Sequence, residues 1–359
     1  MIRAALSLLL LLAPASTWQR HASPVPDDLH TAFFANDSTG WVVAHQSGAV
    51  LHTKDAGATW QVQAKLGPGF LESIHFLDAR TGWICGDQGR LYRTVDGGSI
   101  WKDRSLEKED LSLYAVRFLD ARRGLLAGMD TTARKGVLLE TGDGGATWSR
   151  REDLPPTRGL TDSLVFLSPT VGFVGGFGGI LATRDGGKTW RMAHASENGV
   201  VRGLSFPDER TGWAVGHDGL VIRTKDGGQT WERVSPFTKN RLRSVQFVDA
   251  KRGWISGDAN VEPGVLFETE DGGETWHRVE IGAPDLHHLA ASPGRIWIVG
   301  KSGTILSRPR AQGAGAAVHV DGSPPSGRSW SSKLFSMPPT IRVPGQVTGA
   351  YPSGDAATM

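Results

Sequence analysis

Short apolar runs with period-two alternation, broken by Gly, Asp or Pro, recur along most of the chain. Four follow one another in "LRSVQFV" (242–248), "GWISG" (253–257), "GVLFET" (264–269) and "TWHRVE" (275–280). Alternation bounded by turn residues predicts four short antiparallel strands. The same order of runs returns at a spacing of about 40 to 45 residues, the period of a propeller blade.

Two markers recur within each unit. One is a box: "TKDAGATW" at 53, "TVDGGSIW" at 94, "TGDGGATW" at 141, "TRDGGKTW" at 183, "TKDGGQTW" at 224 and "TEDGGETW" at 269. The other is an upstream turn, "TGWVV" at 39, "TGWIC" at 81, "RGLLA" at 123, "VGFVG" at 171, "TGWAV" at 211, "RGWIS" at 252 and "RIWIV" at 295. Seven such turns predict an all-β, seven-bladed propeller of four-stranded antiparallel blades, since one such sheet cannot bury both faces alone. The box is expected between the third and fourth strands. Its acids, Asp55, Asp96, Asp143, Asp185, Asp226 and Asp271, are suited to accept backbone N–H groups of their own turn, the glycines take positive φ cheaply, and the Trp packs between sheets. This is a structural role.

The seven turns outnumber the six boxes. From Trp60 to Trp83, from Trp190 to Trp213 and from Trp231 to Trp254 the step is 23 residues, and the same step back from Trp41 lands on Trp18. The last unit, "RIWIVGKSGTILSRP", stops after three strands. An N-terminal strand is therefore expected to complete the last blade and close the ring, which removes an open sheet edge. The propeller then spans residues 16–309. Residues 1–15 read as an export signal, with Arg3, an apolar stretch Ala4 to Leu12 and an Ala13-Pro14-Ala15 cleavage site, and imply a periplasmic or secreted protein. Residues 310–359, rich in Gly, Ala, Ser and Pro without sustained alternation, predict a disordered tail.

Composition narrows the chemistry. The chain has 359 residues and a formal net charge of +2, with no basic block interleaved with aromatics, so no nucleic-acid partner is expected. No stable membrane insertion is expected either, because the N-terminal apolar stretch is too short to span. Cys85 stands alone and allows no intrachain disulfide. His30, His45, His217, His287 and His288 lack ligand-like spacing along the chain, so neither a metal nor a cofactor is expected. Dinucleotide, P-loop and Ser/His/Asp patterns are missing, and "GFGG" (176–179) reads as a hairpin. A sialidase-like site would need a Tyr nucleophile and paired acids. Of Tyr92, Tyr114 and Tyr351, Tyr114 alone is placed to face a channel, and Glu72 and Asp162 share no motif.

Aligning the first strands on Phe34, Phe76, Phe118, Phe166, Phe206 and Phe247 puts His30, Glu72, Tyr114, Asp162, Arg202 and Arg243 at one equivalent position, with His287 as the seventh. These residues are expected to ring the channel mouth on the face opposite the boxes, where the longer loops lie, such as "GMDTTARKG" (128–136) and "GDANVEPG" (257–264). Arg202, Lys239, Arg241 and Arg243, beside His287, form a basic sector suited to the carboxylates of an acidic protein segment. A second basic ring, Arg80, Arg122, Arg123, Arg210, Lys251 and Arg252, lies at "DAR"-type turns on the box face.

The combination of "T-x-D-G-G-x-T-W" with "T-G-W-x-V-G-x-x-G" upstream resembles the photosystem II stability and assembly factor family of BNR/Asp-box propellers. The resemblance covers roughly residues 16 to 309. It implies a non-enzymatic exported propeller, here expected to be a monomer, that binds a newly made membrane-protein subunit during photosystem assembly through an arginine patch whose positions cannot be mapped residue by residue. The alternative from another class is a glycan-binding or glycoside-hydrolase propeller of the sialidase kind.

Overall fold

The computed structural model of the protein describes residues 18–107, 110–258 and 264–310. The expected export signal, the tail from 311 onward and most of the "GDANVEPG" loop lie outside the described residues. Strand β1 (Gln19–His21) precedes a first sheet of β2 (Leu29–Phe34), β3 (Gly40–Ala44), β4 (Ala49–Thr53) and β5 (Gln61–Lys65). The second sheet holds β6 (Leu71–Phe76), β7 (Gly82–Gly86), β8 (Leu91–Thr94) and β9 (Lys102–Asp103). The third holds β10 (Leu111–Phe118), β11 (Gly124–Asp130), β12 (Lys135–Thr141) and β13 (Ser149–Arg150). A larger sheet follows, of β14 (Leu160–Phe166), β15 (Gly172–Thr183), β16 (Arg191–Ser205), β17 (Gly212–Gly216), β18 (Val221–Thr224) and β19 (Glu232–Arg233). Then come β20 (Arg241–Phe247), β21 (Gly253–Asp258), β22 (Val265–Thr269) and β23 (His277–Arg278). The last sheet has β24 (Leu286–Ala291), β25 (Arg295–Gly300) and β26 (Thr304–Pro309), with β1 on its outer edge.

The expectation of seven four-stranded blades is therefore corrected: the propeller has five four-stranded blades, and residues 160–233 form one six-stranded sheet instead of two separate blades. The cause is β16, which runs extended for 15 residues where a crossover was expected. Its first half pairs with β15 (Gly179↔Ala195, Leu181↔Met192) and its second half with β17 (Val201↔Gly216, Ser205↔Trp213). The expected "GFGG" hairpin is likewise an irregular stretch inside β15, with Gly178 and Gly179 at φ 108° and 134°.

The sheets stack face to face, so their inner strands are buried on both sides: β3, β7 and β17 are buried at every position. The turn aromatic of one sheet stacks on the first-strand Phe of the next, as in Trp41 on Phe76 (ring centroids 3.8 Å apart) and Trp83 on Phe118 (3.5 Å). Such pairs contribute about 0.5–1.5 kcal/mol beyond the area they bury. They also explain the glycine that opens the first six of these turns. The Phe ring covers it so closely that a Cβ at Gly82 would lie 2.6 Å from Phe76.

In the boxes, Asp226 accepts from the backbone N–H groups of Gln229 and Thr230 (3.0 and 2.9 Å) and from both flanking Thr hydroxyls, while Gly228 N–H donates to Thr224 Oγ1 (2.9 Å). Gly227 N–H reaches the Arg210 carbonyl at 2.7 Å, which ties the box to the "DER" turn of the same sheet. Asp96 keeps the Thr94 hydroxyl but lacks the second one, because Ile100 stands where the other boxes have Thr.

Candidate functional site

The first strands, β2, β6, β10, β14, the second half of β16, β20 and β24, touch one another in a closed circuit around the axis. Each departs from regular register at one place: between Leu29 and Thr31, Leu71 and Ser73, Leu113 and Ala115, Leu160 and Leu164, Val201 and Gly203, Leu242 and Ser244, and Leu286 and His288. His30, Glu72, Tyr114, Asp162, Arg202, Arg243 and His287 fall in those gaps. A bulge leaves a residue without a ladder partner and re-aims its side chain. The polar position seen by alignment is thus a repeated bulge. His30, Glu72, Asp162, Arg202 and Arg243 line an axial cavity of about 100 Å³.

At the mouth these groups are paired rather than free. Glu72 is held by two imidazoles, with His30 Nε2 2.9 Å from Oε2 and His45 Nε2 3.1 Å from Oε1. Burial pushes its carboxyl up, but the two histidines outweigh that and leave it well below the usual carboxylate range. The rings of His30 and His45 stack at 4.5 Å, and His287 lies 5.7 Å from His30. Burial, then the neighbouring His30 and Arg243, lower His287 to about 3. Burial raises the Asp162 carboxyl, and Arg202 Nη1, 4.0 Å away, only partly offsets this.

The basic sector converges on one histidine. Arg202 Nε lies 3.3 Å from His217 Nε2, and burial followed by the charges of Arg202 and Arg241, with Arg243 also contributing, lowers His217 to about 4. Neutral His217 can therefore accept from Arg202. Arg243 Nε grips Asp258 at 2.6 and 2.7 Å, and Arg241 Nη1 stands 3.8 Å from the same carboxylate. Arg241 is 44% exposed, and Lys239 is exposed in the loop before β20. On the opposite face Arg80, Arg122, Arg210 and Lys251 are exposed, whereas Arg123 and Arg252 pair with Asp120 and Asp249.

His45, His217 and Asp258 complete the mouth, and sequence reasoning assigned none of them to it. A usable pattern existed: the residue just past "GWVVA", "GWICG", "GWAVG" and "GWISG" is His45, Asp87, His217 and Asp258, a second polar position that meets the bulge residues. The hydrolase alternative finds little support in this geometry. Both Glu72 oxygens are engaged by imidazoles, and burial raises the Tyr114 hydroxyl instead of activating it as a nucleophile.

The sequence profile of the family described as photosynthesis system II assembly factor YCF48 matches residues 64–150, 153–240 and 196–305. A curated relative, the photosystem II assembly lipoprotein Ycf48 of Synechococcus sp. (strain CC9902), is 31% identical over 120 residues, or 32% of this chain. The matched region spans 34% of that relative, about a third of its length. A solved structure described as YCF48 bound to D1 peptide has a TM-score of 0.65 at 21% identity, covering 82% of this chain and 97% of that one. YCF48 from Cyanidioschyzon merolae gives 0.64 at 19% identity, covering 82% and 99%. At these identities the two solved structures share the propeller fold with this chain.

Proposed function

The chain belongs to the photosynthesis system II assembly factor YCF48 family, and from that premise we propose that it is an exported, non-enzymatic propeller that binds a carboxylate-bearing segment of a membrane-protein subunit during assembly. The observation that carries this reading is the convergence of Arg202, Arg241 and Arg243 on neutral His217 at the channel mouth. Arg202, Arg241, Arg243 and the exposed Lys239 face three carboxylates there, Asp162, Asp218 and Asp258. Positive charge is left over. Guanidinium forks match carboxylates geometrically, and long loops on a rigid ring are suited to recognition. Among the described residues no helix is long and apolar enough to cross a membrane.

A labelled D1 peptide, the ligand in the solved relative's description, is the probe. Titrated with the full chain and followed by fluorescence anisotropy, it should saturate and should bind more weakly as salt is added, because exposed charges are screened. A titration with no saturation argues against the proposal.

A further inference from the structure

One cluster at the mouth is not used by the partner-binding reading. One ring nitrogen each of His30 and His45 and a Glu72 carboxylate oxygen all lie within 4.8 Å of one another, and both histidines meet the carboxylate through Nε2. They arrive from three places: the bulge of β2, the residue after β3, and the bulge of β6 in the neighbouring sheet. The near-parallel stack of the two rings, 14° between planes, sets their nitrogen edges side by side over one carboxylate. The Glu72 side chain is 11% exposed. A buried carboxylate is costly without an opposite charge beside it, and the groups that touch this one are imidazoles, which carry charge only when protonated.

Two imidazole nitrogens and one carboxylate are the donor set of a borderline divalent cation, and His₂Glu is a recognised arrangement for zinc. We propose that His30, His45 and Glu72 form a divalent transition-metal site, fitted by its donors to zinc, with water completing the coordination. The cation supplies the opposite charge that Glu72 lacks when the imidazoles are neutral. Binding requires the Nε2 lone pairs, so a ring that now donates to Glu72 from Nε2 either carries its proton on Nδ1 or releases it. Spacing along the chain cannot show such a site, because its ligands come from two sheets. The site stands whether or not a peptide docks beside it.

The test is calorimetric titration of chelator-treated full chain with zinc chloride, alongside the visible spectrum of the cobalt-loaded protein. One metal per chain should bind, with a cobalt spectrum of nitrogen and oxygen ligation. Glu72→Gln and His45→Gln should each weaken zinc binding by roughly tenfold or more. His277→Ala, on the exposed outer strand β23, should leave it unchanged. His45 is only partly buried, so its variant keeps the test valid if Glu72→Gln folds poorly. Absence of stoichiometric zinc uptake by the wild-type chain, or uptake that His45→Gln leaves intact, overturns the proposal.

Discussion

Trp297 of the last sheet lies flat against Phe34 of the first, with ring centroids 4.4 Å apart and planes 15° from parallel. The contact repeats, across the junction of the first and last sheets, the aromatic stack found between the other sheets. His21 of β1 reinforces it: one ring nitrogen is 2.7 Å from the carbonyl of Gly57 in the first sheet's box, and the other is 2.8 Å from Ser307 Oγ in β26. Trp18, just before β1, packs against the cluster that includes Val248, Trp254 and Leu286.

Removing this closure should destabilise the whole ring. Trp297→Ala truncates a fully buried aromatic and is expected to cost about 3–5 kcal/mol in denaturant unfolding. A chain beginning at Leu29, without Trp18 and β1, should also melt lower than one beginning at Ser16. Equal melting temperatures would mean that β1 contributes nothing to the fold.

Repetition made much of this legible. The "TGW" glycine and the first-strand Phe recur because each ring must lie on a bare backbone, and this constraint is written in the first six copies, the last having Ile296 and no first-strand Phe. The number of blades was not legible, because the count rested on markers, whereas the sheet boundary depends on whether 191–205 bends or stays extended. Alignment found the mouth position without revealing that it is a bulge. Pairings such as Glu72 with His45, or Arg243 with Asp258, join residues from different strands and leave no local mark.

Acid should weaken the fold over two overlapping pH windows. His52 and His288, at about 4 like His217, and His287 at about 3 are neutral in the fold chiefly because of burial. Groups with lowered folded values give stability that is complete above their unfolded value, near 6.5, and that drains as pH falls toward 3 to 4. Asp55 and Asp185, held at about 2 first by the Thr59 and Thr189 hydroxyls and then by the same residues' backbone N–H groups, follow between about 4 and 2. Asp87 and Asp162, raised by burial, act in the opposite sense. The urea midpoint measured against pH should therefore decline from about 6.5 downward; a flat profile to about pH 4 would contradict it.

The Arg243–Asp258 pair should matter for folding as well as for charge. Arg243 is 21% exposed and Asp258 11%, so Asp258→Asn weakens a largely buried charge-assisted hydrogen bond and is expected to cost about 1.5–3 kcal/mol. Urea titration of this variant checks it; stability unchanged from wild type would show the pair to be dispensable. Arg202 and Arg241 are accordingly better probes of binding than Arg243.

The central claim is that the partner docks on the arginine side of the channel mouth. The most direct measurement is D1-peptide affinity for Arg202→Glu/Arg241→Glu compared with Arg80→Glu/Arg210→Glu on the box face, with folding of both verified by thermal melting. The mouth pair should lose about 2–5 kcal/mol of binding free energy, while the box-face pair retains wild-type affinity and its decline with salt. Binding abolished by the box-face pair and unaffected by the mouth pair would contradict the account and move the site to the opposite face.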